Sequence, residues 1–158
     1  MQIDFKTSIG RNTDIVICDG SSTSIKNCVI NHGTVIRVEK DAQFEMQNSY
    51  VGFNCVISCR EKIIIKSHCE IAEMVVIRDQ DHLVDGTNLI KENGYSNGAI
   101  YIGENVWIGA KSTILKNTEI ADNCIIGAHS LLKNMRTEKN STLVGTPAKA
   151  LNTISKKL

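Results

Sequence analysis

Aliphatic residues recur at every sixth position from Ile102 to Leu132: Ile102, Ile108, Ile114, Ile120, Ile126 and Leu132. Glycine often follows directly (Gly103, Gly109, Gly127), and a small residue usually stands four positions on (Val106, Ser112, Thr118, Cys124, Ser130). A period of six matches neither the 3.6 of an amphipathic helix nor a heptad. It fits short strands joined by tight turns, each coil of a solenoid returning the same side-chain position. The spacing starts early: Ile9 and Ile15, Ile30 and Ile36, and Val51 and Ile57 are each six apart, and Ile65, Ile71 and Ile77 resume it after a shift. Register breaks fall near residues 18–28, 38–50 and 60–64, where charged and small polar residues are expected to crowd the turns. No stretch before the C-terminus carries helical periodicity, so the fold class expected is all-β.

A single coil cannot bury its own apolar face, so stability must come from stacking coils. About 18 residues make one three-sided coil, and roughly six or seven coils fit between residues 7 and 137. The aliphatic residue points inward and the small residue leaves room at the bend. The glycine marks either a positive φ or a close backbone approach.

The ladder fails in two places. Ile77 keeps the register and Ile102 restarts it, so residues 79–99 are extruded as a loop carrying Asp79, Asp81 and His82 at its base. Structureless loops beyond about 12–15 residues are uncommon in compact domains and usually functional. After Leu132 the period fades. Leu143 to Lys149 (LVGTPAK) reads as an extended arm, with Thr146 held extended by the following proline. The tail from Ala150 to Leu158 reads equally as a short amphipathic helix or a frayed end.

Composition narrows the classes. At 158 residues the chain is expected to be a single domain spanning 1–158. A formal net charge of +1 gives no long-range pull toward nucleic acid or an anionic membrane. Aromatics are only 4% and are not interleaved with basic residues, so a stacking platform for single strands is missing. No apolar run approaches the roughly 18 residues of a membrane span. The N-terminus MQIDFKTSIG lacks a signal-peptide layout, so a cytoplasmic location is expected. In that setting the six cysteines do not read as a disulfide framework. Cys55, Cys69 and Cys124 occupy the small-residue slot of the repeat and are expected to be buried thiols. A zinc cluster of Cys55, Cys59, His68 and Cys69 fits no common ligand spacing, and no metal is expected.

Several motifs accompany the repeat: Asp81-His82 before the loop, VWIG at Val106 to Gly109, IGAHS at Ile126 to Ser130, and GTPAK at Gly145 to Lys149. In combination the chain resembles the hexapeptide-repeat acyltransferases, and most of all the sugar and polysaccharide O-acetyltransferases such as those acting on galactosides and maltose. The resemblance implies an all-β, left-handed parallel β-helix with three flat sheets, although left-handed crossovers run against the usual rule for parallel strands. It also implies a homotrimer with active sites between subunits, acetyl-CoA as co-substrate and a sugar or polysaccharide acceptor. The first coil and the C-terminal tail are the candidate caps of the open ends.

Acetyl transfer from a thioester to a hydroxyl needs a base with a pKa near neutrality, and histidine suits this. Of four histidines, His32 and His68 fall where turns face solvent, and the resemblance places His82 as general base in a direct ternary-complex transfer. His129 replaces a glycine usual in the family motif and reads as a turn residue or a cofactor contact. Asp81 is the first candidate to orient His82, with Asp79 and Glu92 as alternatives. The resemblance puts Trp107 beside cofactor and acceptor, with trimer packing as its other reading. It places Ala110 where some relatives carry a serine near the thioester, leaving only its backbone N–H to offer, and assigns Ala128 backbone hydrogen bonds to the pantetheine arm of coenzyme A. Lys133 and Lys149 are the candidates for its phosphates.

Three rivals stand beside this reading. A γ-type carbonic anhydrase needs two histidines five apart, and no pair here has that spacing. A non-catalytic interaction solenoid would not need His82, the loop and the GTPAK arm together. Within the acetyltransferases, serine as acceptor is disfavoured because the repeats begin almost at once. N-acetylation of a nucleotide-linked amino sugar stays open beside O-acetylation.

Overall fold

The computed structural model describes residues 2–153, and it is an all-β parallel solenoid of about seven turns, as the β-helix resemblance implies. One sheet stacks Gln2–Ile3, Ser22–Lys26, Gln43–Gln47, Lys62–Ile65, Ile100–Ile102, Thr118–Ile120 and Met135–Arg136 in that order. The second stacks Ser8–Ile9, Val29–Ile30, Tyr50–Val51, Glu70–Ile71, Trp107–Ile108, Ile125–Ile126 and Ser141–Gly145. The third stacks Asp14–Ile17, Val35–Val38, Val56–Cys59, Val76–Arg78, Thr113–Leu115 and Leu131–Leu132. All of these pairings are parallel and in register, so each hexad aliphatic lies directly on its equivalent in the next coil. Ile36, Ile57, Ile77 and Ile114 form one such column, all fully buried.

The breaks in the hexad spacing have a different origin from crowded turns. In the early coils the strands are longer and carry two inward side chains. Phe44 and Met46 both face the core from Gln43–Gln47, and Ile36 and Val38 both do so from Val35–Val38. The third sheet narrows from four residues per strand at Asp14–Ile17 to two at Leu131–Leu132, so the later coils are tighter. A strict hexad is the signature of the tight coils only.

Two corner columns explain the small residues. Cys28, Ser49, Cys69, Val106, Cys124 and Ser141 stack at one corner, and Thr34, Cys55, Val75, Ser112 and Ser130 at another, all buried. Room is half of the reason. Polar ones among them also donate to corner carbonyls of the following coil, as Thr34 Oγ1 does to Gly52 O at 3.0 Å, Cys55 Sγ to Ala72 O at 3.1 Å, Cys69 Sγ to Gly103 O at 3.1 Å and Ser112 Oγ to Gly127 O at 2.9 Å. A buried carbonyl left without a donor costs about 1–3 kcal/mol, so the slot selects a compact donor over alanine. Cys59 is buried too and donates to Gln43 O, and the described cysteines are all free thiols.

The glycine after the aliphatic residue answers to close approach, not to positive φ. A Cβ on Gly109 would lie 2.6 Å from Ala128 N and 2.9 Å from Ile126 O, both backbone atoms of the next coil. The left-handed turn positions are held mainly by asparagine, which tolerates that region best among residues with a side chain. Their amides also ladder between coils, as from Asn105 to Asn123 at 2.9 Å. Gly109→Ala forces apart backbones joined by the 2.7 Å bond from Gly109 N to Ile126 O. The expected cost is about 1–3 kcal/mol, read as a lowered melting temperature by circular dichroism. An unchanged melt would contradict the contact.

The C-terminal region is a hairpin. Ser141–Gly145 continues the second sheet, and Ala148–Thr153 folds back antiparallel on it. The arm is therefore paired strand, and the tail is neither helical nor frayed as far as Thr153; residues 154–158 lie outside the described residues. Among the described residues, no helix is long and apolar enough to cross a membrane.

Candidate active site

The extruded segment is not structureless. Gln80–His82 pairs antiparallel with Tyr95–Asn97, His82 opposite Tyr95, making a two-stranded ribbon that leaves the solenoid after Arg78. Its base is pinned by Asp79, whose side chain is fully buried. The Asp79 carboxylate accepts the backbone N–H of Arg60 at 2.7 Å and of Glu61 and Lys62 at 2.8 Å each. Its own carbonyl accepts Gly98 N at 2.9 Å, closing the ribbon. Gln80 is buried beside it and donates to Ser58 Oγ at 2.9 Å. At the tip, Asp85 accepts the N–H groups of Thr87 and Asn88, bonds that hold its carboxyl well below the usual carboxylate range.

His82 is exposed at the foot of this ribbon. Its ring meets Tyr95 with centroids 4.4 Å apart, and the Arg60 guanidinium carbon lies 3.8 Å from the Tyr95 ring centre. The stack opens onto a groove along the outer face of the third sheet, lined also by Arg37, Ser58 and Arg78. Tyr95 and the arginines escape a sequence reading. A weak signal exists for two of them: Arg37 and Arg78 each directly follow an inward isoleucine, and Arg37, Ser58 and Arg78 form one outward column.

Asp81 has another partner than His82. Neighbouring residues of a strand point to opposite faces, and the Asp81 carboxylate takes a hydrogen bond from Lys133 Nζ at 2.7 Å, with Lys116 Nζ at 3.7 Å. Lys133 is thereby tied to the ribbon in this arrangement. Asp79 is saturated by backbone N–H groups, and Glu92 sits on the exposed 3₁₀ turn Ile90–Glu92. Among the described residues none of the three carboxylates makes a hydrogen bond to His82.

The Lys133 bond, followed by the charges of Lys133 and Lys116, holds the Asp81 carboxyl below its ordinary value of 3.8. A depressed carboxyl stabilises the fold above its unfolded pKa and loses that contribution as pH falls through the lower folded value. The contact therefore persists across pH 5 to 8. A carboxyl NMR titration should show an Asp81 midpoint below 3.8 that returns toward 3.8 in Lys133→Ala. A midpoint unmoved by that substitution would refute the pairing.

The remaining predicted residues lie elsewhere on the protomer. Trp107 points outward from the second sheet, 53% exposed, in register with Glu70 and Ile125. Ala110 and Ala128 occupy equivalent corners between the second and third sheets on successive coils, and Ala110 O accepts His129 N at 2.9 Å. His129 is in the left-handed turn conformation at φ 58°, like Lys111 one coil earlier, which is the geometry of a turn residue. Lys149 is exposed on the terminal strand, opposite Val144. One protomer thus gathers His82, Tyr95 and the arginines on the third sheet, and Trp107, Ala110, Ala128 and Lys149 on the second sheet and its corner. Among the described residues no cluster of three His, Cys, Asp or Glu could hold a metal ion.

Residues 99–134 match the family described as bacterial transferase hexapeptide (six repeats). The chain thus carries the hexapeptide repeats of that transferase family over these residues. Within 102 residues this hexapeptide-repeat chain is 32% identical to a protein of Mycobacterium tuberculosis named probable acetyltransferase, covering 64% of the chain and 34% of that protein. It is 33% identical over 98 residues to a galactoside O-acetyltransferase of Lactococcus lactis, covering 62% and 46%. The chain therefore spans between a third and a half of the length of these two relatives. Its fold is similar to that of a variant of the N-acyltransferase AntD from Bacillus cereus, in complex with dTDP and coenzyme A. That match has a TM-score of 0.69 and 17% identity, and covers 95% of this chain and 85% of the other. At that identity the likeness is one of fold.

Proposed function

We propose that this hexapeptide-repeat chain is an acetyl-CoA-dependent O-acetyltransferase acting on a sugar hydroxyl, in a surface polysaccharide or its precursor. The observation that carries the reading is His82, an exposed imidazole held at the foot of a ribbon whose base is pinned by buried Asp79, with an open groove before it. The relatives named as acetyltransferases support the same chemistry. His82 takes the proton of the acceptor hydroxyl as that oxygen attacks the thioester carbonyl. The C–S bond then breaks and the thiol of coenzyme A leaves. The transfer is direct, in a ternary complex.

The corner at Ala110 and Ala128 suits an extended pantetheine arm, because methyl side chains leave the backbone approachable where successive coils meet at Gly109. Lys149, exposed on the terminal strand of the second sheet, would meet phosphate charge. Since His82 and this corner belong to different faces of one protomer, the complete site is formed between neighbouring copies, most simply in a trimer. Trp107, outward on the second sheet, would line the same cleft. Lys133 reaches the cofactor only by exchanging its Asp81 contact.

Incubation with acetyl-CoA and a panel of neutral, amino and phosphorylated sugars, followed by free-thiol detection, tests the reading. Thiol release dependent on a hydroxyl sugar supports it. Release only with amino sugars supports N-acetylation instead, which the AntD fold keeps in view. No release above the water background favours a non-catalytic interaction solenoid.

A further inference from the structure

Three of the chain's five arginines converge on the groove beside His82. Arg37 and Arg78 project from the third sheet on either side of Ser58 in the same column, and Arg60 comes from the following corner. One carboxylate serves the group: Glu39 Oε1 accepts Arg37 Nε at 2.6 Å and has Arg60 Nη2 at 3.9 Å. The Arg60 Nε is buried with no hydrogen-bond partner, while its guanidinium lies over Tyr95. Arg78 forms no ion pair among the described residues. The groove thus carries net positive charge from the arginines and Glu39 alone, on a chain whose total is only +1.

Holding like charges together is unfavourable unless an anion joins them, and planar guanidinium forks match phosphate oxygens two at a time. A neutral hydroxylated sugar would leave those donors facing water. A carboxylate would bring one charge, and a diphosphate brings more. We propose that this groove binds phosphate on the acceptor, so that the sugar reaches His82 as a sugar phosphate or nucleoside diphosphate sugar and not as finished neutral polysaccharide. The proposal rests on the acetyltransferase reading for what happens to that sugar, but binding itself does not.

Inorganic pyrophosphate is the probe, titrated calorimetrically into the protein saturated with coenzyme A, so that the cofactor's own phosphate contacts are already filled. The wild type should bind, and an Arg37→Gln, Arg78→Gln double variant with an unchanged melting temperature should bind at least about tenfold more weakly, a loss of about 1.4 kcal/mol. UDP and glucose 1-phosphate, titrated alongside, tell a nucleoside diphosphate from a simple phosphate. Either one binding through the same arginines upholds the groove. Binding unchanged in the double variant, no binding once coenzyme A is present, or glucuronate binding as tightly as phosphate would each overturn it. Arginine-dependent binding without transfer to any sugar leaves the groove standing and removes the acetyltransferase reading. Transfer to sugar phosphates with an unchanged KM in the double variant does the reverse.

Discussion

Replacing His82 by alanine is expected to lower kcat/KM for the proposed acetyl transfer by about 10²–10⁴-fold, the usual worth of a positioned general base. The fold should hardly notice. His82 is exposed and its ring rests on one face of Tyr95, so truncation leaves no cavity and no orphaned polar group. Such substitutions usually stay within about 0.5 kcal/mol. Acetyl-CoA affinity should be unchanged, because the corner at Ala110 and Ala128 proposed to hold it lies away from His82 on the protomer. The informative pattern is therefore a loss in kcat with intact cofactor binding and an intact melt. A variant that keeps more than a tenth of the wild-type rate would remove His82 from the mechanism.

Asp79→Ala is expected to be the most damaging single substitution for stability. It would orphan the backbone N–H groups of Arg60, Glu61 and Lys62, which all end on this one buried carboxylate. At about 1–3 kcal/mol for each unsatisfied donor, and toward the low end where water can reach the amide, as at exposed Glu61, the loss is roughly 3–6 kcal/mol. For a chain of this size that lowers the melting temperature by about 10 °C or more. Hydrogen exchange should show lost protection at those three amides. Asp79→Asn keeps one oxygen acceptor and should fall between the two. Activity should drop with stability, since loss of the carboxylate loosens the residue from which the ribbon carrying His82 departs. Amides at residues 60–62 that stay protected in Asp79→Ala would contradict the assignment.

The legible parts of this molecule are those built by repetition. The Ile102 to Leu132 ladder places the strands of the tight coils directly, since each hexad is one strand and one corner. The early coils blur that signal because Phe44 and Met46, or Ile36 and Val38, share a strand and stretch the period. His82 is visible as the residue where the ladder stops. Its surroundings are not. Tyr95 reaches it through antiparallel pairing across the ribbon, and Arg60 through coil stacking, and neither route leaves a spacing in the sequence. Asp81 was the natural orienting carboxylate by adjacency, yet strand alternation turns it away to Lys133. Asp79 shows the same limit, for its role depends on three donors nearly 20 positions earlier.

The buried cysteines have one further use. Cys28 sits on one coil of the first half of the stack, Cys55 and Cys59 together on the next, Cys69 on the one after, and Cys124 on a later one. Burial pushes the thiols of the first four above their ordinary value, so an alkylating reagent finds almost no thiolate while the coils are closed. Each becomes reactive when its own coil opens. A solenoid held only by nearest-neighbour contacts need not open all at once. The thiols are thus a row of built-in clocks, and the order in which a pulse of reagent marks them is the order in which the stack comes apart.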